Sequence, residues 1–213
     1  MVIRLKKPAR LLVLRRRMQK ALNLFNKTGL FLLIAVLGGL FSSWYAVEMG
    51  MPFNTVRQGA WTRWTGAGLP DADPYSRTYF AKREQLHFNA NLIMHFEATR
   101  DDLGRRLHSS CDYLIEGSNI NVPWWTIAVF NADGKLIPNA AQRYSFNSET
   151  IAYSPDGSFA IRLSREARPY NWLPTTRAGH VIVVFEAQRN SSSLNVLKQE
   201  KIILPSIQRI SCR

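Results

Sequence analysis

Asp112, in the run CDYLI, and Glu149, near a strand junction, are conceivable members of a catalytic carboxylate pair, and equally ordinary polar residues at strand edges. Glycoside cleavage needs one carboxyl group on each side of a sugar, at separations of roughly 5 to 9.5 Å. Nothing else in the sequence selects this pair over ordinary polar positions at strand edges. A binding surface has more material. Trp124 or Trp172 could form an aromatic platform, while Asn139, Arg143, Tyr144 and Asn171 could give planar hydrogen-bonding groups to a sugar-like ligand. The same asparagines could instead cap backbone in bends beside proline or tryptophan, and Arg143 with Tyr144 could simply close the fold.

Other chemistries lack their residues. Acyl transfer needs a nucleophile and an oriented base, yet no G-x-S-x-G run is present, and GSN at 117–119 and DGS at 156–158 read as turns. The histidines, His87, His95, His108 and His180, are scattered without a ligand pair, and two cysteines alone do not make a zinc site. No glycine-rich phosphate loop or dinucleotide fingerprint occurs. The expectation is therefore a protein without metal or cofactor, and more a binder than an enzyme.

The elements that would position these residues are mostly strands. LIMHFEA, CDYLI, WWTIAVF and the run after SPDGS are short and β-prone, and Asn131 to Gly134 and Ser154 to Gly157 provide turns. In WWTIAVF, Trp125, Ile127 and Val129 share one face and Trp124, Ala128 and Phe130 the other, so both faces are apolar, as in a strand covered on both sides. VIVVFEA, residues 181 to 187, has the same character. Asp73 before Pro74 is a helix start, predicting a short helix over 74–84. The fold class expected is mainly β, a β-sandwich or jelly-roll-like domain. The final run, LNVLKQEKIILPSIQRISC, could return to the sheet as a helix or strand.

Charge and hydropathy divide the chain before that domain. The formal charge is +13, but residues 1–27 hold nine Lys or Arg and no acid, which leaves 19 basic against 15 acidic side chains elsewhere. The surplus thus belongs to a tail, and a nucleic-acid partner is not expected. Residues 28–47, TGLFLLIAVLGGLFSSWYAV, form an uncharged run of twenty, enough helix to cross the roughly 30 Å hydrocarbon layer. SSWYA gives no clean signal-cleavage site, because Trp44 and Tyr45 intervene. The reading is a retained single-pass transmembrane helix. The basic tail before it and Glu48 after it put the N-terminus in the cytoplasm and the remainder in the periplasm of a bacterial inner membrane. The tail meets lipid headgroups. Ala35, Gly39 and Ser43 repeat small residues at spacing four, a face that could seat a partner helix.

Residues 48–72, rich in glycine and turn formers, read as a connector, with Trp61 and Trp64 either resting at the membrane or docking on the domain of residues 73–213. Cys111 and Cys212 could form one disulfide in an oxidising periplasm or remain free thiols.

DADPYSR at 71–77, DYLIEG, WWTIAVFNADGKLIPN, RYSF, SPDGS and NWLP at 171–174 together resemble the bacterial domain of unknown function 1214, over roughly residues 68–190. The resemblance implies a mostly β domain behind one membrane span or at the end of larger exported proteins, and no established reaction. The function expected is a non-catalytic, membrane-anchored module that binds or organises an envelope protein or glycan. The alternative is a glycan-active envelope enzyme using paired carboxylates.

Overall fold

Alternation of apolar and polar residues dominates after residue 90, and a computed structural model converts it into sheets. It describes residues 9–50, 53–83, 88–189 and 202–213. Two units are distinguished, residues 1–48 and 49–213.

The first unit is helical. Helix α1 (Ala9–Met49) carries a stretch, Arg17–Met49, long and apolar enough to cross a membrane. Its Leu, Ile and Phe side chains through the apolar run are exposed rather than packed on protein. Ala35, Gly39 and Ser43 lie on that exposed stretch, and a Cβ added at Gly39 would meet open space.

The second unit is mainly β, with two sheets. Strands β1 (Thr55–Gln58), β2 (Trp61–Trp64), β3 (Ile93–Ala98), β5 (Trp125–Asn131), β6 (Ser145–Asn147) and β9 (Val181–Gln188) form an antiparallel sheet in the order β1-β2-β3-β9-β5-β6. Strands β4 (Cys111–Ser118), β7 (Ser158–Ser164), β8 (Asn171–Pro174) and β10 (Ser206–Cys212) form a second sheet in the order β10-β4-β7-β8, in which only β7 and β8 run parallel. One apolar cluster joins the inward rows of both. Phe96, Trp125, Ile127, Val183 and Phe185 come from the larger sheet, and Tyr113, Ile115, Phe159, Ile161 and Leu163 from the smaller. Trp125 stacks on Phe159 across the sheets, with centroids 4.7 Å apart. Burying such side chains is worth roughly 1.5 to 3 kcal/mol each, so this cluster is the main source of stability.

Helix α2 (Pro74–Lys82) starts where the predicted helix starts. Asp73 accepts from the backbone N–H of Tyr75 and Ser76, both at 3.0 Å, and Pro74 opens the first turn. Residues 55–64, read from sequence as connector, are instead a hairpin that extends the larger sheet. Its two-residue loop begins at Gly59, whose φ of 60° suits glycine. Trp61 enters the core and donates its indole N–H to Pro205 O at 2.6 Å, whereas Trp64, three residues on, stacks on Tyr79 at 4.1 Å. Both tryptophans are docking residues of the domain.

The second face of β5 departs from expectation. Thr126, Ala128 and Phe130 are half-buried while Trp125, Ile127 and Val129 are buried, so this strand is fully covered on one side only. Residues 181–187 do behave as a strand covered on both sides, since Ile182 and Val184 are buried along with Val181 and Val183.

Candidate functional site

Besides buried Asp101, which pairs with Arg105 and Arg209, ionisable groups among the described residues gather at two further places. The first lies where α2 covers the outward row of β3 and β9. Alternation puts His95 and Glu97 on one face of β3, and the register sets Glu186 of β9 opposite His95. His95 Nε2 is 3.2 Å from Glu97 Oε1 and His95 Nδ1 is 3.1 Å from Glu186 Oε1. From above, the Tyr79 hydroxyl donates to Glu97 Oε2 at 2.8 Å, and the Arg83 guanidinium lies 4.2 Å over the Tyr79 ring and 3.8 Å from the same carboxylate.

Burial alone would lower the His95 pKa, but hydrogen bonds to Glu186 and Glu97, with their charges, overcome it and raise the value to about 9. Burial likewise opposes ionisation of Glu97, yet the His95 hydrogen bond and charge, with Tyr79 and Arg83, hold that carboxyl below its usual range. Burial first, then the Glu97 charge, pushes the Tyr79 phenol well above its ordinary value. A general acid or base works best with a pKa near the operating pH. Here the pKa values of His95, Glu97 and Tyr79 are all driven away from neutral pH, so the cluster holds charges in place and fastens α2 to the sheet.

The second place is the outward face of the smaller sheet. The register puts Gln208, Leu114, Arg162 and Trp172 in one cross-strand row. Beside that row lies a cavity of about 160 Å³ lined by Asp112, Arg162, Ser164, Arg168, Ile210 and Ser211, with Tyr113 and Leu163 at its base. A β-bulge in β10 between Arg209 and Ser211 makes Ile210 the extra residue and delivers both Ile210 and Ser211 to the cavity. Arg168 Nη2 donates to Asp112 Oδ2 at 2.6 Å. At the rim, Arg213 pairs with Glu166, with one contact at 2.8 Å; that hydrogen bond lowers the Glu166 pKa and raises that of Arg213. Arg162 is exposed and has no hydrogen-bond or ion-pair partner among the described residues. Cys212 lies opposite Cys111 in the register and is joined to it by a disulfide, which ties the end of β10 to β4 beside the cavity.

The residues nominated from sequence are distributed over two sheets. Trp172 stands on the row beside the cavity, half-buried, and donates its indole N–H to Ser164 O at 3.0 Å. Asn171 is buried and clamps backbone, accepting from Ala152 N at 2.8 Å and donating to Ala152 O and Ala160 O. Asn139 closes its own bend, donating to Ile137 O and Arg143 O and accepting from Arg143 N. Arg143 lies over the Phe146 ring at 5.6 Å, Tyr144 O accepts from Val129 N, and Trp124 O accepts from Gln188 N, all at the larger sheet. Asp112 is on β4 of the smaller sheet and Glu149 follows β6 of the larger one, so the carboxylate pair is not assembled on one sheet. Among the described residues no group of three or more His, Cys, Asp or Glu could hold a metal ion. His87 lies outside the described residues.

Sequence reasoning passed over His95, Glu97 and Glu186, although His-x-Glu at spacing two on a strand puts both side chains on one face. Arg162 also carried a signal, as the polar member of the alternating run SFAIRLS.

Residues 93–190 match the model of a family described as Protein of unknown function (DUF1214). The match begins later than the resemblance read from sequence, so DADPYSR lies outside it. Among solved structures, the chain is similar to the VPA0106 protein from Vibrio parahaemolyticus, at 19% identity and a TM-score of 0.52, over 67% of this chain and 37% of that one. It is also similar to an uncharacterized protein from Burkholderia cenocepacia, at 17% identity and a TM-score of 0.45, over 80% of this chain and 40% of that one. The chain thus spans less than half the length of either, and the Vibrio likeness is one of fold alone. No curated protein matches the sequence.

Proposed function

We propose that this chain is a single-pass module of a bacterial inner membrane whose outer domain, a two-sheet sandwich in the periplasm, binds or organises an envelope component without transforming it. The exposed apolar helix supports the anchor, and the bias of nine basic residues before the span supports a cytoplasmic N-terminus. The Cys111–Cys212 disulfide favours an oxidising compartment for the domain.

The observation that carries the binding function is the cavity on the outward face of the smaller sheet, where two arginines, a carboxylate and the Ser211 hydroxyl converge, with Trp172 next to Arg162 in the register. Its carboxylate, Asp112, is held by Arg168 at 2.6 Å, an arrangement suited to fixed polar recognition rather than proton transfer. Cross-linking of the full-length protein in living cells, followed by mild-detergent purification and mass spectrometry, is expected to retain a reproducible envelope component. Trp172→Ala with Arg162→Glu should lose it. Recovery of the protein alone in every cross-linking chemistry would refute the proposal.

A further inference from the structure

We infer that the cavity between β10, β4 and β7 takes a sugar unit bearing a carboxylate, with Arg162 as its anion receptor. This names the ligand class of the binding reading above and rests on it. Each alternative ligand leaves something unmatched. A neutral sugar would not use Arg162, an exposed guanidinium with no partner among the described residues. A bare inorganic anion would gain from Arg162 but would meet the Asp112 carboxylate and the apolar Ile210, which is 52% exposed at the cavity wall. An apolar ligand would have to cover the Arg168–Asp112 ion pair and the Ser211 hydroxyl without satisfying them.

An acidic sugar uses all of these groups. Its planar carboxylate matches the fork of Arg162. Asp112 keeps acceptor capacity beyond its bond to Arg168, and the exposed Ser211 lines the same cavity, so ring hydroxyls find both an acceptor and a donor. Ile210, turned to the cavity by the bulge, offers an apolar surface for the ring carbons, and Trp172 extends it along the row next to Arg162. Charge agrees, because two arginines face one aspartate in the cavity while Arg213 and Glu166 neutralise each other at the rim. The volume, about 160 Å³, is room for one unit of a glycan rather than for a length of it.

The test is calorimetric titration of the full-length protein in neutral-lipid nanodiscs with methyl glucuronide, against methyl glucoside, acetate and inorganic phosphate. Methyl glucuronide is expected to bind, with the other three at least about tenfold weaker, the discrimination that charge-assisted hydrogen bonds supply. Arg162→Gln should weaken methyl glucuronide by about tenfold or more and Arg162→Lys by less, because lysine keeps the charge without the fork. Arg162 is exposed, and an unchanged thermal melt would show each variant folded. Equal binding of methyl glucoside overturns the anion receptor, and equal binding of acetate or phosphate overturns the sugar. No loss in a folded Arg162→Gln variant also overturns the assignment. Cross-linking in cells separates the levels: if an envelope component is captured while methyl glucuronide fails to bind, only the ligand class falls, and if both fail, the binding function falls with it.

Discussion

His95 sits between two carboxylates, and its raised pKa makes domain stability depend on pH with a definite sign. The folded value of about 9 exceeds the ordinary 6.5, so the stabilisation is fully present below pH 6.5 and is lost as pH rises through 9. At about 1.4 kcal/mol per unit, the contribution is on the order of 3 kcal/mol. Denaturation at a series of pH values should show stability declining across that window, and His95→Asn should flatten the slope. Glu97 carries the opposite sign, since its lowered pKa stabilises above the ordinary carboxylate range and is lost as pH falls below it. Glu97→Gln leaves Tyr79 and Arg83 without their anion and His95 with Glu186 as its one carboxylate, and is expected to cost about 3 to 5 kcal/mol in urea melts. At this scale the sequence was legible by residue type and much less by partner. Asn139 and Asn171 were correctly seen as candidates for backbone capping, whereas the meeting of His95 with Glu186 depends on which strand lies beside β3, a fact that spacing along the chain does not contain.

At the scale of elements, the end of β10 links covalent chemistry to the cavity. Its bulge aims Ile210 and Ser211 outward, and the disulfide to β4 follows directly after them. Replacing Cys111 and Cys212 with serine should lower stability by roughly 4 to 5 kcal/mol on the chain-entropy account of a loop of about 100 residues. It should also loosen methyl glucuronide binding even at temperatures where the domain stays folded. Asp73→Ala removes the cap of α2 and should cost about 1 kcal/mol, read as a lower melting temperature. The strands, the SPDGS turn and the start of α2 were readable because alternation and capping are local. The hairpin of β1 and β2 was hidden: each strand has four residues, too few to display a period, and Trp61 and Trp64 at odd spacing face opposite sides.

For the whole molecule, the clearest sequence signal was the division between an apolar helix and a mainly β unit, because twenty uncharged residues and a run of short strands are properties of composition. The pairing order of the ten strands among the described residues was not readable, since it depends on contacts between residues far apart, such as Gln58 with Ile202. The proposed orientation predicts that a reporter active only outside the cytoplasm will report when fused after Arg213, and that moving the basic residues of 1–27 beyond the span will silence it. Exchanging residues 28–47 for an unrelated span should leave ligand binding intact; loss of the cellular role in that variant would assign a task to the Ala35, Gly39 and Ser43 face.

The bond between Cys111 and Cys212 closes residues 111–212 into a covalent ring that contains the whole smaller sheet and β5, β6 and β9, half the strands of the larger one. A protease that cuts this ring once, at any point from 112 to 211, releases no fragment. The nicked chain would migrate as one species without reductant and as two with it, so the proposed binding face could outlast a break in its own backbone.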